Sequence, residues 1–185
     1  MTTLLTIIIP AYNEQATIGE LLRRVTEAPY EKQIIVVDDA STDATSHVLS
    51  GWDCQVIRHP VNRGKGAAIR TGLAHAVGQF TIVQDADLEY DPLDYPKLVE
   101  LLMHGADAVY GSRYLERNHT GRWTNRAGVS VLNFAVRILY GARLTDEATC
   151  YKAFPTAVLR AMDLQCEQFE FCPEVTAKAL RMGLR

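Results

Sequence analysis

Apolar residues fall in short unbroken runs, separated by stretches with helical spacing. Residues 4–9 are one such run, of the kind that belongs to a strand covered on both faces. Residues 33–37, 55–58 and 80–83 give three more strands, rich in β-branched side chains and bounded by polar turns. Between them the pattern predicts helices. The first runs from a cap at Asn13 to about residue 28, and a short one ends near residue 49 after a Ser41-Thr-Asp43 cap. An alanine-rich helix over 66–77 is closed by Gly78, and one over 91–104 has Asp91 as N-cap, Pro92 at its first position and Gly105 at its end. Residues 106–110 make a fifth strand. Then the alternation breaks into a polar, arginine-rich loop over 112–124. A helix over 124–140 follows, with Leu132, Ala135, Val136 and Leu139 on one stripe, Val131, Phe134 and Ile138 on another, and Arg137 interrupting it. This is a core or dimer helix, or one that lies on a membrane surface. A strand over 148–154 and helices over 155–162 and 173–182 complete the chain.

Strand–helix alternation with short connections means α/β layering, a Rossmann-like, mostly parallel sheet flanked by helices in a single domain, 1–185. Ligands of such sheets sit at the carboxyl ends of the strands. Two acid groups fall there, Asp38-Asp39 and Asp85-Ala-Asp87, and Glu89 continues the second at alternate spacing. In extended chain, side chains two apart share a face, so Asp85, Asp87 and Glu89 would converge. Like charges so close raise a pKa or recruit a cation, and hard ions such as Mg2+ or Mn2+ prefer oxygen ligands shared with phosphates. An acidic turn ahead of a helix is the plainer reading; it accounts for Asp91 but gives the other three no role. Tyr12 could pack against a nucleobase or be a half-buried core tyrosine. Asp38 and Asp39 could accept from base N–H or ribose hydroxyls, or cap a helix, a role Ser41 and Asp43 already fill.

Composition narrows the class. The 185 residues are 48% apolar and 22% charged, enough for a real core, and the net charge of -3 argues against nucleic-acid binding. Charge is unevenly spread: from Arg113 to Arg143 there are six arginines and one acid, Glu116, so the segment is +5 and the remainder -8. A basic segment in an acidic protein suits a phosphate-bearing ligand, or is a solvated face. Cys54, Cys150, Cys166 and Cys172 lack zinc-type spacing and read as reduced cytosolic thiols, no signal peptide precedes them, and no apolar run approaches the roughly 20 residues of a membrane span. Nucleotide templates fail in turn. The turn after the first strand is Pro-Ala-Tyr-Asn-Glu14, so neither a dinucleotide fingerprint nor a sugar nucleotidyltransferase loop is present. Gly64-Lys65 is followed by Gly66 where a phosphate-binding loop needs Ser or Thr, and His59 stands where its leading glycine belongs. A diphosphate held through a metal remains.

Taken together, Ile-Ile-Ile-Pro-Ala-Tyr-Asn-Glu14, Val-Val-Asp-Asp-Ala-Ser-Thr-Asp43, Asn62-Arg-Gly-Lys-Gly-Ala-Ala68, Asp85-Ala-Asp-Leu-Glu89 and Tyr110-Gly-Ser-Arg113 resemble family 2 glycosyltransferases. Gly-Ser-Arg113, Arg126, Thr-Asp-Glu-Ala-Thr-Cys-Tyr151 and Phe-Glu-Phe-Cys-Pro-Glu174 resemble, more narrowly, the branch of dolichyl-phosphate mannosyltransferases and related polyprenyl-phosphate glycosyltransferases. The resemblance implies a GT-A fold, a nucleotide-sugar donor (GDP- or UDP-linked), inversion at the anomeric carbon and a polyprenyl-phosphate acceptor. By position, Pro10, Tyr12, Glu14, Asp38, Asp39, Lys65 and Asp85 would face the nucleotide sugar. Asp85, Asp87 and Glu89 would hold Mg2+ or Mn2+, with Asp87 catalytic. Arg113 and Arg126 match positions that hold the acceptor phosphate, and Asp146 matches an acid proposed as a base; ordering Arg113 or Arg126 is its alternative. A lipid phosphate is already anionic, so it needs positioning by arginines more than deprotonation.

This chain departs from the branch in having Glu89 where Gln is common and Cys150 where many relatives have Gly. Members of the branch also continue past the last helix into a further strand and an interfacial helix. The chain is therefore expected to be a C-terminally truncated catalytic domain whose full-length form works at the cytoplasmic face of a membrane, with a homo-oligomer through the 124–140 helix as a further expectation. Two rivals stand beside this reading: a family 2 enzyme that glycosylates a sugar hydroxyl, and a non-catalytic nucleotide-sugar binding module.

Overall fold

The structure, a computed structural model, describes residues 3–115 and 123–184, and the side chains of residues 123–127 lie outside what it describes. Among the described residues six strands form one sheet in the order β3-β2-β1-β4-β6-β5. β1 (Leu5–Ala11) lies between β2 (Lys32–Asp38) and β4 (Phe80–Val83), and β3 (Gln55–Arg58) pairs with β2, all of them parallel. β6 (Lys152–Pro155) runs antiparallel to β4 and to β5 (Val109–Tyr110), so it alone is reversed. The mixed α/β sheet of one domain is the expected one, and β3 and β4 have the expected bounds.

Alternation along β1 explains the layers. Leu5, Ile7 and Ile9 point to one face, where α1 (Ile18–Glu27), α2 (Thr45–Leu49) and α4 (Tyr95–Met103) cover them; Ile8 points to the other, beneath α3 (Lys65–His75), α6 (Thr156–Ala161) and α7 (Phe171–Arg181). Each of these β1 side chains is fully buried, worth about 1.5–3 kcal/mol apiece. β3 is an edge strand and leaves Val56 exposed.

Several element ends differ from the sequence pattern. Asn13 does not cap α1: it has φ +57, its Oδ1 accepts from Thr42 N at 2.8 Å, and the helix begins five residues later at Ile18. Gly78 does not close α3, which ends at His75; a Cβ there would sit 2.5 Å from the Leu5 carbonyl carbon, so the glycine lets the chain pass against β1. The helix after Asp91 opens as a 3-10 turn, Pro92–Asp94, whose cap is Asp91 as expected, with its Oδ1 accepting from Leu93 N at 3.0 Å. β5 is only two residues long, and β6 starts at Lys152 rather than residue 148, where Tyr151 N donates to Thr149 Oγ1 at 3.1 Å and Lys152 N to Cys150 O at 2.8 Å in a local turn. α5 (Trp123–Tyr140) is the largest correction to a core helix. Of the stripe 132, 135, 136 and 139 only Val136 is buried, and Val131, Phe134, Ile138 and Leu139 are exposed. Asn133 holds it to the following loop, donating to Thr145 O and accepting from Glu147 N, both at 2.9 Å. Among the described residues no helix is long and apolar enough to cross a membrane.

Candidate active site

The carboxyl ends of β1, β2 and β4 open into one cavity of about 450 Å3. Pro10 and Tyr12 reach it from β1, Asp39 from β2, and Asp85 and Asp87 from β4. Glu14, Asn62 and Lys65 add polar groups, and Gln168 and Phe169 close a wall from far along the chain. Backbone strain marks the same rim. Among the described residues five non-glycines have positive φ, and three of them, Asn13, Ala40 and Leu88, directly follow the cavity residues Tyr12, Asp39 and Asp87. Such conformations cost about 1–2 kcal/mol each and aim the preceding side chain out of the strand.

The two acids after β2 do different work. Asp38 is fully buried behind the cavity and lines no part of it; Ser41 N donates to its Oδ1 at 2.8 Å and Ser46 Oγ to its Oδ2 at 2.5 Å. Burial alone would raise its pKa, but these bonds and Arg58 win and hold it low. Asp39 does line the cavity, yet its carboxylate also organises the loop before α3. His59 Nδ1 lies 2.6 Å and Arg63 N 2.9 Å from Oδ1, and Gly64 N lies 2.7 Å from Oδ2. Glu14 lines the rim with its carboxylate engaged by Thr17 Oγ1 at 2.6 Å.

At β4 the extended spacing does not hold. The chain turns after Val83, and Gln84, fully buried, ties the turn by donating to Asp85 O (3.1 Å) and Tyr90 O (3.3 Å) while accepting from Tyr95 OH (3.2 Å). Asp85 and Asp87 still face the cavity. Glu89 swings away to Arg113 Nη1 at 3.2 Å, so the three carboxylates do not converge, and among the described residues no group of three or more His, Cys, Asp or Glu side chains is placed to hold a metal. Asp85 Oδ1 is buried, outside the network of hydrogen bonds around it, and pairs with the Lys65 ammonium at 2.5 Å. Lys65 Nζ also donates to Cys150 Sγ at 3.0 Å. Burial would lower the Lys65 pKa, but Asp85, with Cys150, more than offsets it and the ammonium is raised.

Arg113 lies beyond Glu89. Its Nε and Nη2 grip Asp146 at 2.8 and 2.9 Å, and its backbone N reaches the same carboxylate at 3.1 Å. This bidentate bond, chiefly, raises the Arg113 pKa and fixes its fork. Asp146 has no exposed side-chain surface and both oxygens are occupied. It stands beside a second cavity of about 350 Å3, lined by Ser112, Arg143 and Thr145 and by apolar Leu144, Leu180 and Leu184. Arg126 falls outside the described side chains.

The sequence reading missed Gln168, Phe169 and His59. The 166–169 segment packs on the start of α3, where Gln168 O and Glu167 O accept from Gly66 N (2.9 Å) and Ala67 N (3.0 Å). Gly64, at φ +90, and Gly66 leave the room this needs, since a Cβ on either would strike residues 166–168. The helix end is thus closed by protein carbonyls rather than open to a phosphate. Two glycines flanking Lys65 were the available signal, though nothing in the sequence names a partner some hundred residues on.

Comparison with known proteins agrees with this architecture. The model of a protein family, Glycosyl transferase family 2, matches residues 6–166. An uncharacterized protein of Methanocaldococcus jannaschii is 33% identical over 97% of this chain and 76% of its own length. Undecaprenyl-phosphate 4-deoxy-4-formamido-L-arabinose transferase of Pseudomonas fluorescens is 35% identical over 90% of this chain and 51% of its own length, so the chain spans about half of that relative. Dolichol-phosphate mannosyltransferase of Pyrococcus furiosus is 36% identical over 63% of this chain and 35% of its own length. Glucosyl-3-phosphoglycerate synthase of Mycobacterium tuberculosis, solved with Mn2+, UDP and phosphoglyceric acid, superposes with a TM-score of 0.78 at 23% identity, covering 98% of this chain and 66% of that one. It shares the fold.

Proposed function

The chain belongs to glycosyl transferase family 2, and we propose that it is the catalytic domain of an inverting enzyme that moves a sugar from a GDP- or UDP-sugar to a polyprenyl phosphate. One observation carries the donor half. A single cavity joins two inward-facing carboxylates, Asp85 and Asp87, and the Lys65 ammonium to a rim of Pro10, Tyr12 and Asp39. The first group suits a diphosphate and the second a nucleoside. Asp85 and Asp87 offer only hard oxygen donors, one of them buried and outside the network of hydrogen bonds around it, which fits Mg2+ or Mn2+. When bound, such an ion neutralises charge on a departing diphosphate. Lys65 holds the same phosphates, and Asp39 fixes the loop that walls the nucleoside.

The acceptor half rests on Arg113 and on the names of the relatives. Asp146 locks the guanidinium fork in place, and the outer edge of that fork, now on Glu89, is where a phosphate would dock. Asp146, with its oxygens taken by Arg113, is a positioning residue here rather than a base; a phosphate acceptor needs none. The exposed apolar side chains of α5 and the +5 segment around it suit an anionic membrane face, which would present the lipid. The test is a screen of GDP- and UDP-sugars for thermal stabilisation with and without Mn2+. One nucleotide should raise the melting temperature only when metal is present, and metal-independent stabilisation, or none with any nucleotide, would remove the reading.

A further inference from the structure

Behind the cavity lysine lies a thiol pair that the proposed reaction does not use. Cys150, two residues before β6, and Cys172, in the first turn of α7, are both free, with their sulfurs 3.3 Å apart. Lys65 Nζ is 3.0 Å from Cys150 Sγ and 2.5 Å from Asp85 Oδ1, so one chain of contacts runs Cys172, Cys150, Lys65, Asp85 and ends in the cavity. We propose that Cys150 and Cys172 form an oxidisable dithiol, which a hydroperoxide converts to a disulfide, and that this modification weakens cation binding at Asp85. The second clause rests on the donor-site reading above; the first does not.

The surroundings favour reaction at this pair over the other two cysteines. The hydrogen bond shared with Cys150 lowers the Cys172 thiol pKa against its burial, with Lys152 and Lys65 aiding and Glu147 opposing. That same bond raises Cys150, which stays a thiol. Burial pushes Cys166 up to about 12 and also raises Cys54. The Cys172 thiolate attacks one peroxide oxygen; the O–O bond breaks, hydroxide leaves and takes up a proton, and a sulfenic acid remains. Cys150 sulfur then attacks that sulfur, the S–S bond forms, the S–O bond breaks, and water leaves with the Cys150 proton. Two thiols and one hydrogen peroxide give one disulfide and two waters. The sulfurs need only close from 3.3 Å to about 2.05 Å. Lys65 then loses its thiol acceptor and is left to Asp85 alone, where an arriving cation meets a more tightly held competitor.

The test treats the reduced chain with one equivalent of hydrogen peroxide, alkylates the remaining thiols and maps peptides by mass. A Cys150–Cys172 crosslink two hydrogens lighter, reversed by dithiothreitol, with Cys54 and Cys166 alkylated, is the expected result. Alkylated Cys150 and Cys172 after oxidation elsewhere, or after no oxidation at all, would overturn the dithiol. The Mn2+ midpoint for stabilisation by UDP or GDP should rise about three- to tenfold on oxidation, what one hydrogen bond is worth, and should not move in Cys172→Ser. A crosslink with an unchanged midpoint would overturn the coupling. If neither redox form binds Mn2+ with a nucleotide, the coupling falls together with the donor-site reading, and the crosslink stands alone.

Discussion

The two sides of the candidate site are finished to different degrees. On the β1–β2–β4 side the strands are in register, Leu5, Ile7, Ile8 and Ile9 are fully buried, and Asp38 and Asp39 have their oxygens bonded within the chain. On the side that begins at β5, the strand is two residues long, and α5 exposes Val131 (66%), Phe134 (64%), Ile138 (67%) and Leu139 (72%). A small polar ligand can be met by a pocket that the chain completes itself, as the first side does. Apolar side chains left out in a row suit a large apolar partner instead. The contrast is what the proposed reading, a soluble donor on one side and a lipid-borne acceptor on the other, requires, and it can be broken by substitutions that act on one side alone.

Asp87→Ala carries the largest expected effect. It should lower transfer on the order of 10²–10³-fold, the cost of removing a group that supports developing charge, and abolish metal-dependent stabilisation by the nucleotide. Asp87 is exposed and the hydrogen bond it accepts, from Glu89 N to its Oδ1 at 3.0 Å, lies at the surface, so stability without ligand should fall by no more than about 1 kcal/mol; retained transfer would take the metal out of the donor side. Arg113→Ala comes next and should act only on the other side. Weaker acceptor binding by about 1.5–3 kcal/mol with unchanged donor binding is expected in titrations of each. Asp146→Asn separates positioning from base catalysis, since a positioning residue raises the acceptor KM while a base collapses kcat.

Glu174→Gln tests the seam, because the segment carrying Gln168 and Phe169 to the donor side belongs to the C-terminal third. The Glu174 carboxylate accepts from Gln165 N at 2.8 Å and Cys166 N at 2.7 Å and pairs with Lys178 at 2.8 Å. Burial would raise its pKa, yet these partners lower it from 4.5 to about 2. Its stabilisation is thus complete above pH 4.5 and is lost as pH falls through 2. Denaturant melts should show the variant about 1–3 kcal/mol less stable at pH 7, with the gap narrowing below pH 4.5. A gap that persists at pH 2 would mean the carboxylate charge is not what holds the loop.

The donor side was the more legible in sequence for a physical reason. Its strands are short apolar runs, and its ligand groups sit at strand ends, so a period of two and a turn signal locate Asp39, Asp85 and Asp87. What failed was orientation: the rule that residues 85, 87 and 89 share a face needs extended chain, and Gln84 and Leu88 bend it. Asp38 and Asp39 are adjacent and alike in sequence, and only the packing of Ser41, Ser46 and His59 tells the buried one from the cavity one. On the other side the helical period of α5 was visible, but periodicity reports that a face is apolar and not whether anything covers it. Phe169 stands in the Phe-Glu-Phe-Cys-Pro-Glu174 motif, but its place on the cavity wall depends on a loop–helix contact with the start of α3, about a hundred residues earlier.

Glu89→Gln has the smallest expected effect and decides to which side that residue belongs. Read from spacing, Glu89 is a third cation ligand; in the structure it lies on Arg113 at 3.2 Å and is 43% exposed, against 17% for the arginine. An exposed pair of this kind is worth about 0.2–1 kcal/mol, so a phosphate can displace the carboxylate at little cost. Removing the charge should then tighten the acceptor by up to about fivefold and leave the Mn2+ midpoint unchanged. If the midpoint rises instead and acceptor affinity stays put, Glu89 moves onto the cation when ligand arrives. The acid cluster after β4 would then work as a triad that only the bound state assembles.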